Sequence, residues 1–416
     1  ARLTSQIVHC SRVHKATACT GATGLARSMV PLGWVGLAAP LLLTAVPSAA
    51  GFELEAASTA SGEQWTAGAQ WAAVRRPLGL YALDEAFKNG TRPPIPPFVH
   101  GVYLRVNWDK VQPAPQVFNW SLIDPTIARA RAAGRVVQLG VAPGTSSPRW
   151  LYASGAVPYH MPWDLNWSKI PKCSAVPLPV PWDTVYLRAW SAFVSALGAR
   201  YDNNPTVVAV KVCGVNAPTM EVFLPARPVA ACPKAAIPSV QWASLGYTPS
   251  KVVQAWDTAL GAYDAAFKST ALAMMTGPFP FPGVDEQGRV LSNGKLDWNL
   301  TQTLLDRFVA RFDPHRVTLQ SNGMCAYWWW TPPSDLPPGS RLGAQALAAI
   351  SNDPTCRMVH PHSTTPGCNP VTVMNKTLQN VVRHNVSYYE VYIGDIVNPA
   401  MWPLLSSWAA RFPPSR

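Results

Sequence analysis

Two glutamates in a chain sparing with charge are the side chains best placed to move protons. Glu221 follows the apolar run Val207–Cys213 and stands in a loop otherwise lacking acids. It reads as a functional group, the alternative being an exposed loop charge. Glu390 lies inside the run Tyr388-Tyr389-Glu390-Val391-Tyr392, which is otherwise apolar or aromatic. An unpaired charge there would be expensive, so Glu390 is expected either to serve a site or to form a structural ion pair with an arginine such as Arg105. Asp395, just beyond Gly394, is the reserve for the same role. Two carboxylates at strand ends on one face can divide the work of acid and base.

Around these acids the sequence offers binding groups. Arg105 and Trp108, on the second strand, read as a charged floor and a stacking wall, with a core role for Arg105 as the alternative. Trp150 closes the polar loop Ser146-Ser147-Pro148-Arg149-Trp150, and Tyr392 neighbours Glu390. Asn322, Tyr327 and Trp328 belong to the run Asn322–Trp330, a wall of aromatics of which part must be packing. His360 and His362 follow a short strand; without a third ligand they read as loop residues at the mouth, not as a metal site. There is no GxGxxG, GxxxxGK[ST], CxxC, GxSxG or HExxH pattern, so neither a cofactor nor a metal is expected.

The elements that must position these groups alternate. Continuously apolar strands are expected at Leu78–Leu83, Val102–Val106, Val136–Val141, Val207–Cys213, Leu272–Thr276, Val317–Gln320, Met358–His360 and Tyr388–Ile393. Helical patterns separate them at Ile123–Ala133, Thr184–Tyr201, Pro249–Lys268, Leu300–Phe312, Leu342–Ser351 and Val371–His384, and a final one spans Pro399–Phe412. Short apolar strands between helices indicate a parallel sheet covered on both faces. Eight of them is the count of a closed α/β (β/α)8 TIM barrel, whose ligands bind at the C-terminal ends of the strands. An open doubly wound sheet is the alternative, and the missing phosphate loop argues against it. Long strand-to-helix insertions at 153–183 and 222–248 carry Trp163, Trp167, Trp182 and Trp242. These rings either pack irregular loops or stack on the apolar faces of sugar rings.

Residues 1–50 read as a leader, 51–76 as a linker and 77–416 as one domain. No acid precedes Glu53, while Arg2, Arg12, Lys15 and Arg27 are basic and an apolar run from Val30 to Val46 ends in Pro47-Ser48-Ala49-Ala50. This matches an export signal cleaved near Ala50, with a transit peptide to an organelle as the lesser alternative. Pro31, Gly33, Gly36 and Pro40 interrupt a run already shorter than the roughly 20 residues a membrane span needs, so no stable span is expected in the mature chain. Loss of those four basic residues lowers the net charge from +12 to +8. With no long Lys/Arg run, nucleic-acid binding is not expected. Six sequons, at Asn89, Asn119, Asn166, Asn299, Asn375 and Asn385, point to a secreted or lumenal glycoprotein. Six cysteines remain after the leader; Cys356 and Cys368 are the expected disulfide, and Cys213 a buried thiol.

The run from Trp108 through Val117-Phe118-Asn119-Trp120 to Asp124 resembles the second-strand segment of barrel glycoside hydrolases of the family 42 and family 35 β-galactosidase type. Val137-Gln-Leu-Gly-Val-Ala-Pro143, Pro148-Arg-Trp-Leu151 and Tyr201-Asp-Asn-Asn-Pro205 are similar to segments that follow in those enzymes. The resemblance implies a carbohydrate substrate and two catalytic carboxylates, because glycoside cleavage needs one acid for the leaving oxygen and another at the anomeric carbon. It also implies an Asn-Glu pair after the fourth strand. Here Asn216, the natural partner of a sugar hydroxyl, is followed by Ala217, and Glu221 is expected to replace the missing acid through a bulged loop. The family carries its nucleophile on the seventh strand, whereas Glu390 falls on the eighth by this count. The expectation is a glycoside hydrolase with Glu221 and Glu390 as catalytic pair; the alternative is an inactive barrel that binds glycans.

Overall fold

Eight short runs rich in Val, Leu, Ala and Tyr form parallel strands that close on themselves. The computed structural model describes residues 75–84, 94–164, 170–214, 219–277, 279–326, 336–352 and 369–412. All belong to the second of two units, Trp71–Arg416. The expected leader, Asn216, Ala217, Trp167, Tyr327, Trp328, the strand Met358–His360, His362 and the pair Cys356 and Cys368 lie outside the described residues.

The strands are β1 (Gly79–Asp84), β2 (Gly101–Asn107), β3 (Val136–Ala142), β4 (Pro158–Pro162), β5 (Ala175–Pro179), β6 (Val207–Val212), β7 (Ala271–Thr276), β8 (Val317–Ser321), β9 (Arg341–Gln345) and β10 (Tyr388–Tyr392). The barrel order is β1-β2-β3-β6-β7-β8-β9-β10, with β10 pairing back to β1, while β4 and β5 form a separate antiparallel pair. Every residue of β6 and β7 is buried, as expected of parallel strands covered on both faces. The helices are α1 (Trp108–Val111), α2 (Asp124–Ala132), α3 (Arg149–Ala153), α4 (Thr184–Tyr201), α5 (Pro238–Ser244), α6 (Pro249–Ala266), α7 (Asn299–Arg311), α8 (Pro370–Arg383), α9 (Ile393–Ile396) and α10 (Trp402–Ala409). Asp183 opens α4 by accepting the Tyr186 N–H, and Thr248 opens α6 by accepting that of Lys251.

Seven of the expected strands form within one residue of their expected bounds. The other differs. The seventh barrel strand is β9, which runs from Arg341 into Leu342–Ser351, a stretch the sequence reads as a helix. Leu, Ala and Gln favour a helix, but the gap between β8 and β10 is filled by pairing, with Gly343 opposite both Gln320 and Tyr388. A Cβ at Gly343 would lie 2.1 Å from the Tyr388 ring, so only glycine lets that ring into the barrel. Gly101 on β2 makes the same allowance for Tyr81, whose ring would stand 2.3 Å from an added Cβ.

The insertions fold as structure of their own. The first supplies β4 and β5, the second supplies α5, and a disulfide between Cys173 and Cys232 joins them. Trp163 and Trp242 are buried, and Tyr159 stacks on Trp242 at 3.9 Å between ring centres. In these insertions the described tryptophan rings are packing. Cys213 is a buried free thiol, as expected, and Cys325 is a second.

Candidate active site at the barrel mouth

The barrel axis is polar. On β6, within Val207-Val-Ala-Val-Lys211-Val212, a lysine is wholly shielded from solvent, and on β10 Glu390 is shielded equally. Their charges meet: Lys211 Nζ lies 2.6 Å from Glu390 Oε1. The structural partner of Glu390 is therefore Lys211 and not Arg105. Lys211 also donates to Gln138 Oε1 at 2.7 Å, to Gln320 Oε1 and to the Tyr388 hydroxyl at 3.2 Å. Its ammonium stands 4.7 Å from the centre of the Tyr103 ring and 5.1 Å from that of Tyr388. Burial pushes the Glu390 carboxyl up and the Lys211 ammonium down, and their mutual attraction opposes both shifts.

A second group of side chains lies toward the mouth. Val222 N–H donates to Met275 O, which ties the segment carrying Glu221 to the end of β7. Glu221, half-buried, accepts from Asn322 Nδ2 at 2.8 Å. Asn322 Oδ1 accepts from Gln320 Nε2 at 2.7 Å, and the same Nε2 donates to Glu390 Oε2 at 2.7 Å. The two expected catalytic carboxylates are thus the ends of one hydrogen-bonded path. Arg105 acts electrostatically on Glu390 and on Tyr392, whose hydroxyl burial pushes up to about 12. Gln345 closes β9 and donates to the Tyr392 hydroxyl at 3.0 Å. The Tyr103 hydroxyl faces the sulfurs of Met220 and Met275 at 3.8 and 3.9 Å.

Of the expected site residues, Arg105, Glu221, Asn322, Glu390 and Tyr392 come together. Three do not. Trp108 is wholly buried behind β2, 4.9 Å from Trp190 and within an aromatic cluster with Trp150, Tyr186 and Phe193, so it is core and not a stacking wall. Trp150 joins that cluster edge-on and donates to Gln112 O at 3.0 Å. Asp395 accepts the N–H groups of Ile350 at 2.9 Å and Ser351 at 2.7 Å, which makes it the cap of the turn after β9. Asn216, Tyr327, Trp328 and His360 lie outside the described residues.

Sequence reasoning missed Lys211, Gln320 and Gln345. A signal for Lys211 was present: a single charge in a buried strand needs a counter-charge, and Glu390 poses the mirror-image problem. Among the described residues no group of three or more His, Cys, Asp or Glu could hold a metal ion, and no helix is long and apolar enough to cross a membrane.

The chain is a closed (β/α)8 barrel with carboxylates toward the C-terminal ends of its strands, and part of it is similar to barrel glycoside hydrolases. More specifically, residues 103–214, from β2 to just past β6, match the family model described as beta-galactosidase of glycoside hydrolase family 42. Among solved structures, the catalytic domain of a β-amylase from Paenibacillus polymyxa superposes over 82% of this chain and 100% of its own, with a TM-score of 0.52 and 11% identity. A β-galactosidase from Rahnella sp. R3 aligns over 76% of this chain and 51% of its own, with a TM-score of 0.42 and 10% identity. At 11% identity the amylase domain shares the fold alone. No curated protein matches the chain in sequence.

Proposed function

We propose that the protein cleaves O-glycosidic bonds at the barrel mouth, with Glu221 as general acid/base and Glu390 as the second carboxylate. The family match suggests a β-galactoside as substrate class. One observation carries the reading: Glu221 and Glu390 end a single path through Asn322 and Gln320, with each link between 2.7 and 2.8 Å. Cleavage passes through an oxocarbenium-like state in which one acid protonates the leaving oxygen and the other stabilises or attacks the anomeric carbon. Glu221, half-buried at the mouth, suits the first task. Glu390 suits the second only if substrate draws it from Lys211. Arg105 and Tyr392 are the adjacent partners for sugar hydroxyls.

A second reading, a barrel that binds glycans without cleaving them, is favoured by a specific observation. The seventh strand, where the family pattern places the nucleophile, ends in Gln345, and Ala217 replaces the acid expected after the fourth. One assay separates the two: hydrolysis of a panel of aryl glycosides by wild type, Glu221→Gln and Glu390→Gln. Hydrolysis lost in both variants supports the assignment. Activity surviving both removes it, and a wild type inert on every glycoside yet binding oligosaccharide selects the second reading.

Export through the secretory route is part of the same proposal. The Cys173–Cys232 disulfide and the exposed sequon residues Asn119, Asn299, Asn375 and Asn385 support it. Protein from a eukaryotic secretory host should lose apparent mass on treatment with an N-glycan-cleaving enzyme; an unchanged mass would count against the route.

A further inference from the structure

Lysine offers only donors and an ionised carboxylate only acceptors, so the groups between them have no freedom to reverse. Gln320 turns its Oε1 to Lys211 Nζ and to the Tyr388 hydroxyl, which donates to it at 2.5 Å. That leaves Nε2 to donate to Glu390 Oε2 and to Asn322 Oδ1, each at 2.7 Å. Asn322, its carbonyl taken, must turn Nδ2 outward to Glu221 Oε1 at 2.8 Å. A flip of Asn322 would set its oxygen against the carboxylate and its NH2 against that of Gln320. Leaving such buried groups unmatched costs about 1–3 kcal/mol each.

We propose that Lys211, acting through Gln320 and Asn322, is a positioning residue for Glu221: the buried ammonium sets the direction of two side-chain amides and thereby presents an N–H donor to the carboxylate at the mouth. The inference rests on the reading of Glu221 as acid/base. The geometry has three supports. Lys211 cannot reorient, because the acceptors Gln138, Gln320, Tyr388 and Glu390 surround Nζ. Gln320 and Asn322 are both buried, so bulk water does not compete for their amides. Asn322 is further held from β7, where Met275 Sδ lies 3.7 Å from Nδ2. Tyr103 on β2, Cys213 after β6 and Tyr392 on β10 also feel Glu221.

The test exploits leaving-group chemistry. A phenyl glycoside needs protonation of its leaving oxygen, whereas a dinitrophenyl glycoside departs with little help. Gln320→Leu keeps Lys211, Glu390 and Glu221 but cuts the relay; Lys211→Met removes its source, and Lys211→Arg restores a cationic donor. With phenyl and dinitrophenyl β-galactosides, Gln320→Leu and Lys211→Met should lower kcat on the phenyl substrate by about tenfold or more, a fraction of what a general acid contributes. The dinitrophenyl rate, which still depends on Glu390 and its contacts with Lys211 and Gln320, should fall clearly less than the phenyl rate, and Lys211→Arg should recover part of the phenyl loss. Equal losses on both substrates would mean a merely structural role and overturn the proposal. Should Lys211→Met fail to fold, Gln320→Leu decides alone. A wild type that cleaves neither substrate defeats the proposed β-galactosidase activity, not the relay. The relay is then read from the Asn322 side-chain 15N–H2 resonances, identified by their loss in Asn322→Asp: a shift in Gln320→Leu supports it, and an unchanged signal overturns it.

Discussion

The axis of the barrel and the shell behind β2 and β3 are both fully buried, yet they are held by opposite means. The shell is a set of rings: Trp108, Trp190 and Phe193 in mutual contact, with Trp150 and Tyr186 at the rim. Its only directional demand is that each indole N–H find an acceptor, and Trp108 and Trp190 meet it with Gln112 Oε1 and Cys213 O. The axis instead holds an ammonium, a carboxylate, two glutamine amides and a tyrosine hydroxyl in one network. Apolar contacts tolerate small shifts. A network of donors and acceptors specifies a single arrangement and penalises any other. The family match covers mostly the shell side, and the carboxylates lie at or beyond its edge.

The sharpest way to break this contrast is at its centre. Lys211→Met strands the Glu390 charge and should destabilise the fold by about 3–5 kcal/mol in chemical denaturation, while adding Glu390→Gln should return much of the loss. A double variant no more stable than the single one would show that charge pairing is not what holds the axis. Next in size, Gly343→Ala drives a methyl into the Tyr388 ring and should cost about 1–3 kcal/mol. The same substitution at exposed Gly294, where an added Cβ meets nothing but φ is +65°, should cost less. The third expectation is a slope. In Glu390→Gln the buried Lys211 keeps a pKa below its unfolded value, so the folded state binds fewer protons and stability rises with pH. That gain is complete above the unfolded value and lost as pH falls through the folded one, with a steepness of at most about 1.4 kcal/mol per pH unit. Against the Lys211→Met/Glu390→Gln double variant, which has no lysine to titrate, the melting temperature of Glu390→Gln should climb from neutral to alkaline pH; parallel curves would place the lysine in water. The smallest effect belongs to the shell: Trp150→Phe loses one hydrogen bond and should cost about 1 kcal/mol. It should leave hydrolysis untouched, and a fall in kcat/KM would return Trp150 to the site.

Much of the fold was legible because it is written in runs of apolar residues. β6 and β7 can be read from Val207–Val212 and Ala271–Thr276 directly, since a strand buried on both faces needs no alternation. β9 was not legible, because Leu, Ala and Gln carry no local signal against a helix; its strand form depends on neighbours distant in sequence. Of the candidate site, Glu221, Asn322 and Glu390, which one hydrogen-bonded path joins, were legible because polar residues at or near strands are conspicuous. Trp108 misled because a ring that stacks on a sugar and one that packs behind a strand have the same composition. Gln320 was invisible. A glutamine in a strand shows nothing of the cross-barrel partners that make it the middle of a relay.

The Cys173–Cys232 bond has a consequence of its own. It closes a covalent ring spanning 59 positions that contains α4, β6, Lys211 and Glu221. In the chain-entropy view a ring of that size favours the folded state by about 4 kcal/mol, because the unfolded chain loses the freedom to separate its ends. The ammonium on the axis and the carboxylate at the mouth therefore belong to one macrocycle. That macrocycle persists only where thiols stay oxidised.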